Sequence, residues 1–241
     1  MSTEPNFTNT IEEWTHFFIP LPDGIQLAAR AWLPTDAIEY PVPAILEYIP
    51  YRKRDGTAIR DEQMHPYWAA FGYACVRVDM RGCGESDGLL IDEYLQQELE
   101  DAVEVIGWLA QQDWCSGKVG MMGKSWGGFN SLQVAALRPT ALKAIITVCS
   151  TDDRYADDIH YRGGVLLTEN FSWASTMSCY MAKAPDPLLL PETWREHWLE
   201  RLQSMPLLAK NWLEHTYKAV SYTHLRAHET DSYLVCRLLL E

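Results

Sequence analysis

Between residues 42 and 150, short apolar runs of strand length alternate with longer stretches of helical spacing. VPAILEYIP (42–50) is an apolar run closed by Pro50, and HPYWAAF (65–71) reads as a helix stopped by Gly72. YACVRVDM (73–80) is a second buried strand. In the helix that follows, Leu95, Leu99, Val103, Ile106 and Leu109 share one face, with acids between them. GKVGMMG (117–123), SWGGFNSLQVAAL (125–137) and LKAIITVCS (142–150) repeat the strand, helix, strand order. Strands buried on both faces read as continuous apolar runs, so this alternation predicts an α/β fold with a mainly parallel sheet covered on both sides. Ahead of it, WTHFFIPLPDGIQLAARAWLP (14–34) carries two apolar runs around Pro22-Asp23-Gly24, a hairpin turn signal. From 151 to 219 the pattern changes to helical stretches punctuated by prolines, with no strand candidate and with Trp173, Trp194, Trp198 and Trp212.

The chemistry concentrates at Gly123-Lys124-Ser125-Trp126-Gly127. This is G-x-S-x-G between a predicted strand and a predicted helix, the setting of a nucleophile elbow. There a strained turn lifts the serine hydroxyl above the sheet, and small flanking residues let strand and helix pass closely. The Trp126 amide then points into the site as one oxyanion donor, at the start of a helix. Ser125 is the candidate nucleophile.

Composition narrows the field. Lys+Arg 20 against Asp+Glu 33 gives a net charge of -13, which argues against a phosphate-gripping nucleic-acid binder. No apolar run reaches the ~18 residues of a membrane span. The opening MSTEPNFTNTIEEW lacks the basic flank and apolar stretch of a signal peptide, so a soluble, cytoplasmic protein is expected. The cysteines, at 75, 83, 115, 149, 179 and 236, form no CxxC pair and no zinc spacing with histidine. All but Cys236 lie in or beside apolar stretches and are expected to be buried thiols. No cofactor or metal is expected.

Taken in order, the paired opening strands, YIPYRKRDG (48–56), VDMRGCGESDG (78–88), GMMGKSWGGF (120–129) and CSTDDRYADD (149–158) resemble the CocE/NonD group of α/β hydrolases. That group also contains the X-Pro dipeptidyl-peptidase (S15-like) catalytic domain. The resemblance covers residues 10 to 219. It implies an α/β-hydrolase fold, with 1–150 as the N-terminal part of the core and 151–219 as the start of a helical cap. It also implies a serine hydrolase acting on small ester, amide or peptide substrates through an acyl-enzyme. Tyr51 matches the tyrosine whose phenol completes the oxyanion hole, the alternative being an edge aromatic that caps the core. Trp173, in NFSWAS, matches a position lining the acyl pocket, against an ordinary cap-core tryptophan. Asp79, Arg81, Glu85 and Asp87 read as structural, with Arg81 paired to a carboxylate. Asp152, Asp153, Asp157 and Asp158 read as a solvated acidic face, or as a site for a substrate ammonium.

In this fold the triad acid and histidine follow the serine, on loops after later strands. His160, His197 and His215 all fall in the predicted cap and read as cap or surface residues, so neither base nor acid is assigned. From Val220 the chain reads VSYTHLRAHETDSYLVCRLLLE, which matches one reading frame of a transposase-based sequencing adapter interrupted near Asp231-Ser232. Residues 220–241, with His224 and His228, are therefore expected to be an adapter-derived tail, and the native protein to be cut off near Ala219. A chain so cut is expected to be inactive by itself. Two other classes stay open: a non-catalytic relative that binds a ligand or partner in the same pocket, and an acyltransferase.

Overall fold

The computed structural model describes residues 9–214. The opening hairpin pairs β1 (Ile11–Pro20) with β2 (Gln26–Pro34). Its turn closes through the Gly24 amide on the Leu21 carbonyl at 3.0 Å, with Gly24 at φ 90°, where a side chain would be strained. The α/β run follows as β3 (Val42–Ile49), α1 (Ala58–Ala70), β4 (Ala74–Asp79), α2 (Gln96–Ala110), β5 (Cys115–Lys124), α3 (Trp126–Ala136) and β6 (Leu142–Val148). The six strands form one sheet in the order β1-β2-β4-β3-β5-β6. β2 meets β4 antiparallel, and β4, β3, β5 and β6 are parallel to their neighbours.

Strand order places the site. From β3 the chain crosses α1 to β4 on one side, and from β5 it crosses α3 to β6 on the other. The adjacent strands β3 and β5 therefore send their C-terminal loops in opposite directions, which opens a crevice at the carboxyl end of the sheet. Tyr51 lies just past β3 and Ser125 just past β5, so the topology alone brings them together. α1 packs on β2 and β4, while α2 and α3 cover β3, β5 and β6 and touch each other. All six residues of β4 are buried, as a central strand requires. Among the described residues β1 and β6 are the edge strands, and β6 leaves Ile146 54% and Val148 48% exposed.

The segment expected to open a cap holds β7 (Tyr161–Arg162), β8 (Val165–Leu166), α4 (Glu169–Met181), α5 (Trp194–Ser204) and α6 (Leu208–Glu214). β7 and β8 correct the expectation of a strandless segment. They are two-residue arms around Gly163-Gly164, too short to show an alternating pattern. Two further expectations change. α1 begins at Ala58 and contains Pro66, because Asp61 and His65 on its earlier turns are drawn into a buried charge network. Cys75, Cys83 and Cys115 are buried, but Cys149 and Cys179 are exposed, the former just beyond the edge strand.

That network lies beneath the crevice. Arg77 of β4, fully buried, reaches Asp79 at 3.2 Å and Asp61 at 3.4 Å. Arg60 meets Glu47 at 2.6 Å and Asp61 at 2.7 Å, and His65 meets Glu47 at 3.2 Å. Glu47, Asp61 and His65 lie close enough to share a metal ion, but two guanidinium groups already occupy their oxygens. Lys53, also fully buried, pairs with Glu85, and its amide donates to Asp79 Oδ1 at 2.9 Å. Arg52, at φ 62°, turns back to Asp55 at 2.9 Å and to the Ala184 carbonyl at 2.9 Å. The loop that carries Tyr51 is thus held on both sides of Arg52. Arg77→Met should lower stability by about 3–5 kcal/mol, because it leaves Asp79 and Asp61 buried beside a vacated partner. Urea unfolding followed by circular dichroism checks this.

Candidate active site

β5 runs straight into Ser125, which sits at φ 58°, ψ −121°, a strained conformation for a residue with a side chain. The Ser125 amide donates to the Val148 carbonyl of β6 at 2.8 Å, and the Ser125 carbonyl accepts from Gly128 at 2.8 Å and Phe129 at 3.0 Å as α3 begins. The flanking glycines are needed for close approach. A Cβ on Gly123 would lie 2.3 Å from the Gly127 carbonyl carbon, and one on Gly127 would lie 2.6 Å from Ile49 Cγ2. This is the elbow geometry that the G-x-S-x-G spacing predicts.

Burial raises the pKa of the Tyr51 phenol to about 12 and outweighs the opposite pull of the neighbouring Ser125 side chain and Trp126 amide. At neutral pH it is therefore an uncharged donor. The Ser125 hydroxyl, Tyr51 phenol and Trp126 N–H thus belong to the segments that leave the adjacent, parallel strands β3 and β5. Trp173 of α4 stands edge-on to Tyr51 with ring centres 6.3 Å apart, and 6.5 Å from Trp126. Tyr180 lies 5.8 Å from Tyr51 on the same wall.

Three described histidines are engaged elsewhere: His160 pairs with Glu93, His197 lies 3.9 Å from Asp87, and His65 belongs to the network under the sheet. The fourth, His16 of β1, packs on Phe18 with ring centres 4.7 Å apart. His215 and residues 220–241 lie outside the described residues. Arg81 has the expected carboxylate partners, Asp101 at 2.7 Å and Asp23 at 2.8 Å, while Asp79 ends β4 rather than lying in the loop. Three members of the acidic cluster have internal work. Asp153 accepts the amides of Tyr155 and Ala156, Asp157 pairs with Arg162, and Asp158 pairs with Arg154.

Glu98 is the residue that helical periodicity missed. Read as an acid on the solvent side of α2, it is in fact buried beneath the elbow. It accepts the Trp126 indole N–H at 3.2 Å and the Tyr94 amide at 3.1 Å. The only signal in the sequence was its position in the first helical turn, which does not reveal the loop folded over it.

A family model described as X-Pro dipeptidyl-peptidase (S15 family) matches residues 23–239. The chain belongs to this S15 family. The matched range includes 220–239, most of the segment expected to be adapter-derived. Cocaine esterase of Rhodococcus sp. (strain MB1 Bresler) is 34% identical over 158 residues, which cover 64% of the chain and 26% of that enzyme. The S15 chain thus spans about a quarter of the length of this curated relative. A CocE/NonD family hydrolase from Staphylococcus aureus superposes with a TM-score of 0.62 at 20% identity, covering 89% of the chain and 42% of that structure. An α-amino acid ester hydrolase superposes at 0.52 and 24% identity, over 72% and 32%. These likenesses establish the α/β-hydrolase fold.

Burial lifts the Glu98 carboxyl to about 8 from its ordinary 4.5, against the pull of the Trp126 bond. Between those values the folded protein keeps a proton that the unfolded chain has lost. Stability from this group is complete below the lower value and falls, by about 1.4 kcal/mol per pH unit, as pH rises toward the upper one. Glu98→Gln should therefore gain stability relative to the parent at about pH 8 compared with about pH 5. Paired urea titrations measure the difference.

Proposed function

We propose that this is the nucleophile half of a serine hydrolase acting on small ester, amide or peptide substrates. The convergence of the Ser125 hydroxyl, Tyr51 phenol and Trp126 N–H carries the reading. Ser125 Oγ attacks the substrate carbonyl, and its proton passes to a general base that we do not assign among the described residues. The carbonyl oxygen, becoming negative, takes the place between Tyr51 O–H and Trp126 N–H, and both donors strengthen as charge develops. Collapse expels the alcohol or amine and leaves an acyl-Ser125 ester, which water hydrolyses.

The wall of Trp173, Tyr180 and Trp126 favours an apolar acyl group, in keeping with Trp173 as an acyl-pocket residue. Relatives named as a cocaine esterase and an X-Pro dipeptidyl-peptidase support ester and peptide substrates as the classes to test. The acidic charge speaks against nucleic-acid partners. No helix among the described residues is long and apolar enough to cross a membrane. Free, buried Cys75, Cys83 and Cys115 fit a reducing, cytoplasmic setting.

A fluorophosphonate probe, which bonds to Ser125 Oγ as fluoride leaves, tests the assignment by peptide mapping. The chain is to be extended for this with the C-terminal part of a family relative. Label should fall on Ser125 and vanish in Ser125→Ala, and Tyr51→Phe should slow ester turnover by ~10²–10³ without loss of folding. Label elsewhere, or a Tyr51→Phe variant with undiminished turnover, would overturn the respective role.

A further inference from the structure

Two adjacent carboxylates on the core loop between β4 and α2 hold three separate pieces of the cap. Asp92 accepts the indole N–H of Trp212, on α6, at 2.9 Å. Glu93 Oε2 accepts the indole N–H of Trp173, on α4, at 2.9 Å, and Oε1 pairs with His160 Nε2, just before β7. The Glu93 side chain is 7% exposed and that of His160 12%, so the pair is largely screened from water.

Asn170 defines the state of the imidazole. Its Nδ2 donates to the carbonyls of His160 at 2.8 Å and Leu167 at 3.0 Å, which fixes Oδ1 as the atom facing His160 Nδ1. A histidine with an acceptor at each ring nitrogen carries both protons, so Glu93 faces a cation. Burial pulls the imidazole pKa down, but the Glu93 bond and charge outweigh it and the balance lies above the ordinary value. The surrounding titratable groups are Asp92, Asp158, Glu98, which is protonated near neutral pH, and Arg154, which stacks on Tyr94 at 4.0 Å. Tyr94 in turn faces His160 across 6.4 Å, and Trp212 covers the imidazole at 5.3 Å.

We propose that Glu93 is a positioning residue that sets Trp173 against Tyr51, with the His160 cation locking that carboxylate to the cap. The physical case is one of geometry. A half-buried indole hinged on its own side-chain bonds has several orientations, and a single hydrogen bond from a screened carboxylate selects one. Once selected, the ring closes the aromatic wall beside the phenol and shields it from water. The inference deepens the hydrolase reading and rests on it only for the catalytic consequence, because the positioning itself is measurable without turnover.

The test uses the 241-residue chain and nuclear magnetic resonance near neutral pH, with Trp173→Phe and Tyr51→Phe assigning the Trp173 indole and Tyr51 ring signals. Glu93→Ala should speed exchange of the Trp173 indole proton roughly tenfold or more and move the Tyr51 ring signals away from their Trp173-shifted positions. Glu93→Gln, which keeps an oxygen acceptor, should restore both signals while lowering the His160 titration midpoint. In a Trp173→Phe background, Glu93→Ala should leave Tyr51 unmoved, since Glu93 acts through the indole. Unchanged Trp173 and Tyr51 signals in Glu93→Ala would overturn the proposal, as would an unchanged His160 midpoint in Glu93→Gln, the arm that decides if the alanine variant does not fold. Ser125 labelling plays no part in these readouts, so failure of the hydrolase assignment and failure of this one are told apart.

Discussion

Arg77 is the charge on which the rest of the site depends. It lies in the middle of β4, with no access to water, and its guanidinium is neutralised by Asp79 and Asp61. Burying such a group is costly unless it is paired and hydrogen-bonded. The chain offsets that cost by bringing α1 and the end of β3 against it: Asp61 lies 3.4 Å from Nε, and the Val78 and Ile49 carbonyls accept from Nη1. Asp79 accepts the Lys53 amide and so pins the loop carrying Tyr51, and Lys53 in turn reaches Glu85 in the loop after β4. A network built to satisfy one buried arginine therefore fixes the height of the phenol above the sheet.

The elbow supplies the other half of the geometry from a different source. Ser125 owes its placement to backbone bonds from β6 and α3 and to contacts too close for any side chain at Gly123 and Gly127. No charge is involved. Two independent supports, ionic under β3 and β4 and steric between β5 and α3, thus meet at adjacent strand ends. In the proposed hydrolase, the Tyr51 phenol and Trp126 N–H would be preorganised donors, since both supports are in place without a substrate.

The segment after residue 150 joins the apolar core through Ala174, Met177, Met181 and Leu208, and polar contacts add direction to that packing. Arg201 of α5 donates to the carbonyls of Gly84 and Ser86 at 2.8 and 2.6 Å, and the indoles of Trp173 and Trp212 donate to Glu93 and Asp92. Directional contacts fix orientation more sharply than they add stability. That suits the wall proposed here, in which aromatic rings stand beside the reacting bond.

The sequence by itself determined the fold class, the strand order along the chain and the nucleophile's surroundings. These follow from local signals: continuous apolar runs, helical spacing, and glycines at two positions from a serine. Tyr51 and Trp173 were legible as candidates only through the family resemblance, since a lone aromatic after a strand carries no signature of its own. Tertiary structure alone decided what faces what. Glu98, one of the acids between the apolar positions of α2, and Glu93, which no sequence pattern singled out, became partners of Trp126 and Trp173 through the fold. The helix read over 65–71 starts earlier, at Ala58, so Pro66 lies inside α1, whose earlier turns carry Asp61 and His65 into the network. The reason is the same in each case: periodicity reports which side of an element is apolar, whereas the partner of a polar group is set by segments distant in sequence.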